Sequence, residues 1–81
     1  MKARIIITLK NGVLDPQGKA IEGALGALGF AGVDSVRQGK VIDVDLSDMP
    51  QADAEAELQA MCRKLLANPV IEDYSIELTA R

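Results

Sequence analysis

Asp43 and Asp45 stand two residues apart among Ile42, Val44 and Leu46, so on an extended chain both carboxylates share one face. Such a pair could move a proton or hold a divalent cation. The same alternation also marks a strand with one solvated face, and that is the commoner meaning. The sequence has no His, and no further carboxylate is spaced to complete a metal set. Cys62 is the single cysteine, and with no imidazole to activate it the thiol reads as a small hydrophobe on a helix. Arg37 and Lys40 flank Gln38-Gly39, where a turn does not itself require charge. The loop from Asn11 to Pro16 carries Asp15 and no Arg, so it lacks a phosphate cradle of the acylphosphatase kind. None of these groupings forms a catalytic constellation, and no independent activity, cofactor site or metal site is expected.

The composition narrows the partners. Net charge is −3, and the nine Lys and Arg residues are scattered, so no row of phosphates could be neutralised. Phe30 and Tyr74 are the only aromatic residues, too few for a base-stacking surface and few for a ligand pocket. No nucleic-acid role is expected. The apolar runs are short, so no membrane span is expected either. A lone Cys and an N-terminus without a signal-peptide pattern fit a reduced, cytoplasmic home. The 81 residues read as one domain, 1–81. A domain of this size buries only about 60–65% of the surface its unfolded chain exposes, and such domains often gain stability by oligomerising.

The elements that must position these residues follow from periodicity. Residues 3–10 alternate as a strand with Ala3, Ile5, Ile7 and Leu9 on one face. Asp15-Pro16 starts a helix with a stripe of Ile21, Ala24, Leu25 and Leu28, and Gly29 and Gly32 supply its end. Residues 33–46 read as a hairpin reversing at Gln38-Gly39, with Gly39 at positive φ. A second helix begins between Asp48 and Asp53 and turns Ala54, Leu58, Met61, Cys62 and Leu65 inward. Asn68 in a left-handed conformation and Pro69 end it. A last strand, Val70 to Leu78, places Tyr74, Ile76 and Leu78 inward, and Thr79 to Arg81 form a tail. The expected fold is α+β: a ferredoxin-like βαββαβ antiparallel sheet with both helices on one face, oligomerising through a sheet edge or the open face.

Several segments match known text in order and spacing. They are Thr8-Leu9-Lys10, Val13-Leu14-Asp15-Pro16-Gln17-Gly18, Val36-Arg37-Gln38-Gly39-Lys40, Met61-Cys62, and Lys64-Leu65-Leu66-Ala67-Asn68-Pro69-Val70-Ile71-Glu72-Asp73-Tyr74. With these segments the chain resembles the PurS subunits of phosphoribosylformylglycinamidine (FGAM) synthase over essentially its whole length. The resemblance implies a non-catalytic subunit of an ATP- and glutamine-dependent ligase of purine biosynthesis. It implies dimers or tetramers that bridge a large synthetase subunit, PurL, and a glutaminase subunit, PurQ, and that support ammonia transfer. ATP and Mg belong to the large partner. Motif residues without a clear core role are then candidate partner contacts: Asp15, Gln17, Gly18, Arg37, Lys40, Asn68, Glu72, Asp73 and Tyr74, with Pro16 and Gly39 beside them. The alternative is a stand-alone regulatory module binding a small metabolite at a dimer interface, which ligand-dependent stabilisation without any protein partner would distinguish.

Overall fold

The computed structural model describes residues 1–79. Strand β1 spans Lys2–Leu9, helix α1 Pro16–Ala27, strand β2 Gly39–Asp45, helix α2 Gln51–Met61 and strand β3 Glu72–Thr79. The strands form one antiparallel sheet in the order β2-β1-β3. Ala3, Ile5 and Ile7 of β1 are buried on one face, flanked in register by Ile42 and Val44 of β2 and by Tyr74, Ile76 and Leu78 of β3. Ala54, Leu58 and Cys62 close over them, each 0% exposed. Burying side chains of this size contributes about 1.5–3 kcal/mol each for the larger aliphatics. The opposite face is charged at one end, where Arg4 pairs with Asp43 at 2.9 Å. Asp43 and Asp45 both lie exposed on that face.

The antiparallel α+β class holds, but the sheet has three strands where the sequence reading had four. Residues 33–38 do not form a strand. Both edges of β1 are already taken, and the segment is tied elsewhere: the Gln38 N–H donates to Asp15 Oδ2 at 2.8 Å, and Arg37 reaches back to β1. The reversal is therefore the whole excursion 10–38, and Gly39 directly faces Thr8. Gly39 does not have positive φ. It is required for another reason, since a Cβ there would sit 2.7 Å from the Ile7 carbonyl oxygen.

Helix α1 begins as its sequence indicates. Asp15 caps it, accepting from the Gly18 N–H at 2.8 Å, and Pro16 occupies the first turn. It ends in a Schellman motif: the Phe30 N–H donates to the Leu25 carbonyl and the Gly29 N–H to that of Gly26, with Gly29 at φ 97°. The expected inward stripe is not covered, however. Ile21 is 41% and Leu28 74% exposed, and the core cluster of the described residues contains no α1 side chain. Among the described residues, only α2 and the turn that continues it lie on the core face. A strand of eight residues is about 26 Å long and a helix of twelve about 18 Å. Laid end to end they account for most of the 49 Å long axis. The Cα radius of gyration is 16.2 Å, against about 12 Å for a compact chain of this length. Helix α1 and its return leg form an arm leading away from the sheet.

The close of α2 also departs from simple periodicity. Residues Cys62–Leu66 make a π-helical turn, sealed by the Ala67 N–H donating to the Cys62 carbonyl at 3.0 Å. The wider turn rotates Leu65 out to 83% exposure and brings Ala67 into the core at 7%. Asn68 does not adopt a left-handed conformation. Its side chain instead accepts from the Val70 N–H at 3.0 Å, an Asx turn that carries the chain past Pro69. Val70 and Ile71 belong to that turn, so β3 starts at Glu72 and includes Thr79. The rest of the expected tail, residues 80 and 81, lies outside the described residues.

Candidate partner interface at one end of the sheet

The arm leaves and rejoins the sheet at one end, where Leu9 and Lys10 exit β1, Gly39 and Lys40 enter β2, and Glu72 and Asp73 enter β3. Antiparallel pairing makes this convergence unavoidable. Nearly all of the sequence-nominated residues gather there. Lys40 and Glu72 stand on the core face across β1 with Nζ and Oε2 3.8 Å apart. On the opposite face Lys10 pairs with Asp73 at 3.2 Å. Asn68 and Glu72 clip each other: the Asn68 N–H donates to Glu72 Oε1 at 2.7 Å and the Glu72 N–H donates to the Asn68 carbonyl at 2.7 Å. Asp15 and Gln17 line the same shallow depression as Lys40 and Glu72. Tyr74 differs in direction. It points inward beneath α2 and its hydroxyl donates to Gln59 Oε1 at 2.6 Å.

Arg37, Asp15 and Gly18 build the root of the arm. Arg37 donates to the Leu9 carbonyl at 2.6 Å and to the Lys10 carbonyl at 3.2 Å, satisfying the end of β1. Its charge therefore has an intrachain use that the sequence did not disclose. Gly18 is buried, and a Cβ there would meet both Asp15 Oδ2 and the Val36 carbonyl oxygen at 2.6 Å. Lys10 and Gln38 also belong to the cluster. Both lie within the matched segments, but neither pattern nor spacing marked them as paired.

The Asp15 carboxyl is held below the usual carboxylate range by the N–H groups of Gln38 and Gly18, with the Arg37 charge assisting and partial burial opposing. A depressed folded-state pKa means this clip stabilises the fold above the unfolded value near 3.8 and is lost as pH falls through the lower folded value. The Gly18 and Gln38 amide shifts in NMR titrations are expected to move together with a midpoint below 3.8, and Asp15→Asn is expected to abolish that transition. A midpoint at or above the unfolded value would contradict the clip. By contrast the Cys62 thiol is pushed upward by burial, away from the reactive thiolate.

The depression itself measures about 240 Å³, below the roughly 300–1,000 Å³ of typical ligand pockets. No group of three or more His, Cys, Asp or Glu among the described residues is placed to hold a metal ion. Among the described residues no helix is long and apolar enough to cross a membrane. What this end of the sheet offers is a mosaic of oriented charges on rigid backbone, a surface suited to protein contact.

A sequence model of the PurS family, described as Phosphoribosylformylglycinamidine (FGAM) synthase, matches residues 2–80. The chain belongs to the PurS family. As a PurS chain it is a subunit of FGAM synthase, a ligase of purine biosynthesis. PurS of Methanocaldococcus jannaschii is 47% identical over 77 residues, spanning 95% of this chain and 93% of that protein. PurS of Bacillus subtilis is 40% identical, spanning 95% and 90%. The crystal structure of the M. jannaschii PurS superimposes with a TM-score of 0.84, covering 94% of this chain and 92% of that one. A chain of the PurLQS structure from Thermotoga maritima, 30% identical, superimposes with a TM-score of 0.86, covering 94% and 93%. The PurS fold therefore includes the extended arm as well as the sheet.

Proposed function

We propose that this PurS chain joins a PurL-type synthetase to a PurQ-type glutaminase and supports the passage of ammonia between them. In this reading residues 1–81 act as one unit, as a homodimer or a tetramer, in the cytoplasm. The chain carries no cofactor of its own, and ATP and Mg are bound by the large subunit. The observation that carries the reading is the likeness, over 94% of its length, to a chain of the PurLQS structure from T. maritima. The charged end of the sheet supports it, because Asp15, Gln17, Lys40, Asn68, Glu72 and Asp73 gather polar groups there around a depression of only about 240 Å³.

The test is assembly. Mixed with its cognate PurL and PurQ, the chain is expected to co-elute with both on size exclusion. Lys40→Glu places a second carboxylate beside Glu72, reversing the charge on that face. It is expected to weaken assembly at least tenfold, while as a surface change it alters folding stability by no more than about 0.5–1 kcal/mol. Lys40 is a cleaner probe than Arg37, whose loss would also strip two backbone carbonyls of their donor. Unchanged co-elution would remove this end of the sheet from the interface. Failure of the native chain to co-elute would remove the bridging role.

A further inference from the structure

An asparagine followed by a glycine carries a reaction that needs no enzyme. The glycine nitrogen attacks the asparagine side-chain carbonyl and closes a five-membered ring, provided that nitrogen is neither hydrogen-bonded nor shielded. The chain has two asparagines, Asn11 before Gly12 and Asn68 before Pro69. They are placed oppositely. Pro69 has no N–H to give up, so its nitrogen does not close the ring. The Asn68 side chain is also engaged, accepting from the Val70 N–H at 3.0 Å. Asn11 and Gly12 are both exposed, at the tip of a turn closed by the Val13 N–H donating to the Lys10 carbonyl at 3.1 Å. Gly12 takes φ 87° there, as the third residue of a type II turn does. Among the described residues no hydrogen bond holds the Gly12 N–H or the Asn11 amide. A Cβ at Gly12 would meet nothing within 4 Å, so the turn stands clear of the rest of the fold.

The flanks of this turn are fixed while its tip is not. The Lys10 N–H donates to the Ile71 carbonyl at 2.9 Å, and the Lys10 carbonyl also accepts from Arg37 at 3.2 Å. On the far side Asp15 is tied to Gly18 and Gln38. We propose that Asn11-Gly12 is a site of spontaneous deamidation, and that its isoaspartyl product loosens the root of the arm. The Gly12 nitrogen gives up its proton and bonds to Asn11 Cγ. The bond from Cγ to Nδ2 breaks, ammonia leaves with that proton, and a succinimide remains. Solvent water then opens the ring at either carbonyl, and nothing is oxidised or reduced. Opening at Cγ leaves an aspartyl residue with the main chain unchanged. That product adds one exposed negative charge beside Lys10 and alters the fold little. Opening at the main-chain carbonyl leaves an isoaspartyl residue, whose backbone runs through the β-carbon. The main chain is then one carbon longer inside a turn that a single hydrogen bond closes. The Val13 N–H loses its place on the Lys10 carbonyl, and the segment between Lys10 and Asp15 loosens.

The experiment ages the folded native chain and Asn11→Gln side by side in mildly alkaline buffer. Isoelectric focusing follows the gain of negative charge, and peptide mapping locates it. An isoaspartyl carboxyl methyltransferase with labelled S-adenosylmethionine counts the isoaspartyl product. Asn11→Gln keeps an exposed amide but would need a six-membered ring, so it removes the fast route without disturbing the surface. Asn68 is the internal control and needs no variant. The isoaspartyl fraction is separated by anion exchange, and its amide hydrogen exchange is compared with that of the fresh chain. The native chain is expected to acidify at Asn11 and not at Asn68, and Asn11→Gln not to acidify. In the isoaspartyl fraction the Val13 amide is expected to exchange about tenfold faster, the size of effect that loss of one hydrogen bond implies. Deamidation at Asn11 no faster than at Asn68, or acidification of Asn11→Gln at the native rate, overturns the site. An isoaspartyl chain whose Val13 amide exchanges as slowly as in the fresh chain overturns the loosening of the arm root.

Discussion

Leu58→Ala is expected to cost about 3 kcal/mol of folding stability, within the range of about 2–5 kcal/mol seen for buried Leu truncations. Leu58 is fully buried with Ile5, Ile7 and Cys62 on the helix that covers the sheet, so the cavity has little room to collapse. A domain of 81 residues has a total stability of about 4–12 kcal/mol, so the loss removes a quarter or more of it. Urea unfolding followed by circular dichroism should show the midpoint falling by roughly 2–3 M, given a slope of about 1 kcal/mol/M for a chain this small. The matched control is Leu65→Ala. It lies seven residues on, at the same position of an ideal stripe, yet the π turn leaves it 83% exposed. It is expected to shift stability by no more than about 0.5 kcal/mol. Equal effects of the two truncations would mean that α2 continues as a regular helix through Leu65.

That contrast shows where the sequence was legible and where it was not. Strand β1 could be read to within a residue, because Ala3, Ile5 and Ile7 alternate and bury as alternation requires. The start of α1 was equally plain, since Asp15-Pro16 carries its own capping chemistry. Tyr74, Ile76 and Leu78 face inward as expected. The errors fall where something that pattern does not encode, a distant partner or a change of pitch, decides the conformation. The reversal at Gly39 looked like a local hairpin, but its backbone is fixed by Ile7 and Thr8, far earlier in the chain. Leu65 looked inward because periodicity assumes one helical pitch, and the pitch changes at Cys62. The stripe on α1 was read correctly as apolar, yet apolarity alone does not say whether the cover comes from the same chain.

The candidate site shows the same division. The nominated residues came from a family resemblance spread over five segments, and the fold brings most of those segments to one end of the sheet. Asp15, Lys40, Asn68, Glu72 and Asp73 meet there because antiparallel strands bring the exit of β1 beside the entries of β2 and β3. Arg37 was nominated for a charge that a turn does not need. The structure supplies the need in the carbonyls of Leu9 and Lys10, which no spacing rule connects to residue 37. Tyr74 was nominated with its neighbours and faces the other way, toward Gln59. Side-chain alternation along β3 separates it from Asp73 even though the two are adjacent in sequence.

The largest functional effect expected of this chain is on coupling between the larger subunits. A subunit that positions others contributes by raising the effective concentration of one reacting group near another, and loss of the contact loses the whole advantage. The most direct measurement is therefore amidation of formylglycinamide ribonucleotide by the cognate PurL and PurQ, with glutamine or with free ammonia as nitrogen donor, in the presence and absence of this chain. Glutamine-dependent turnover is expected only when the chain is added, while ammonia-dependent turnover by PurL proceeds without it. Glutamine-dependent turnover that is the same with and without the chain would contradict the bridging account.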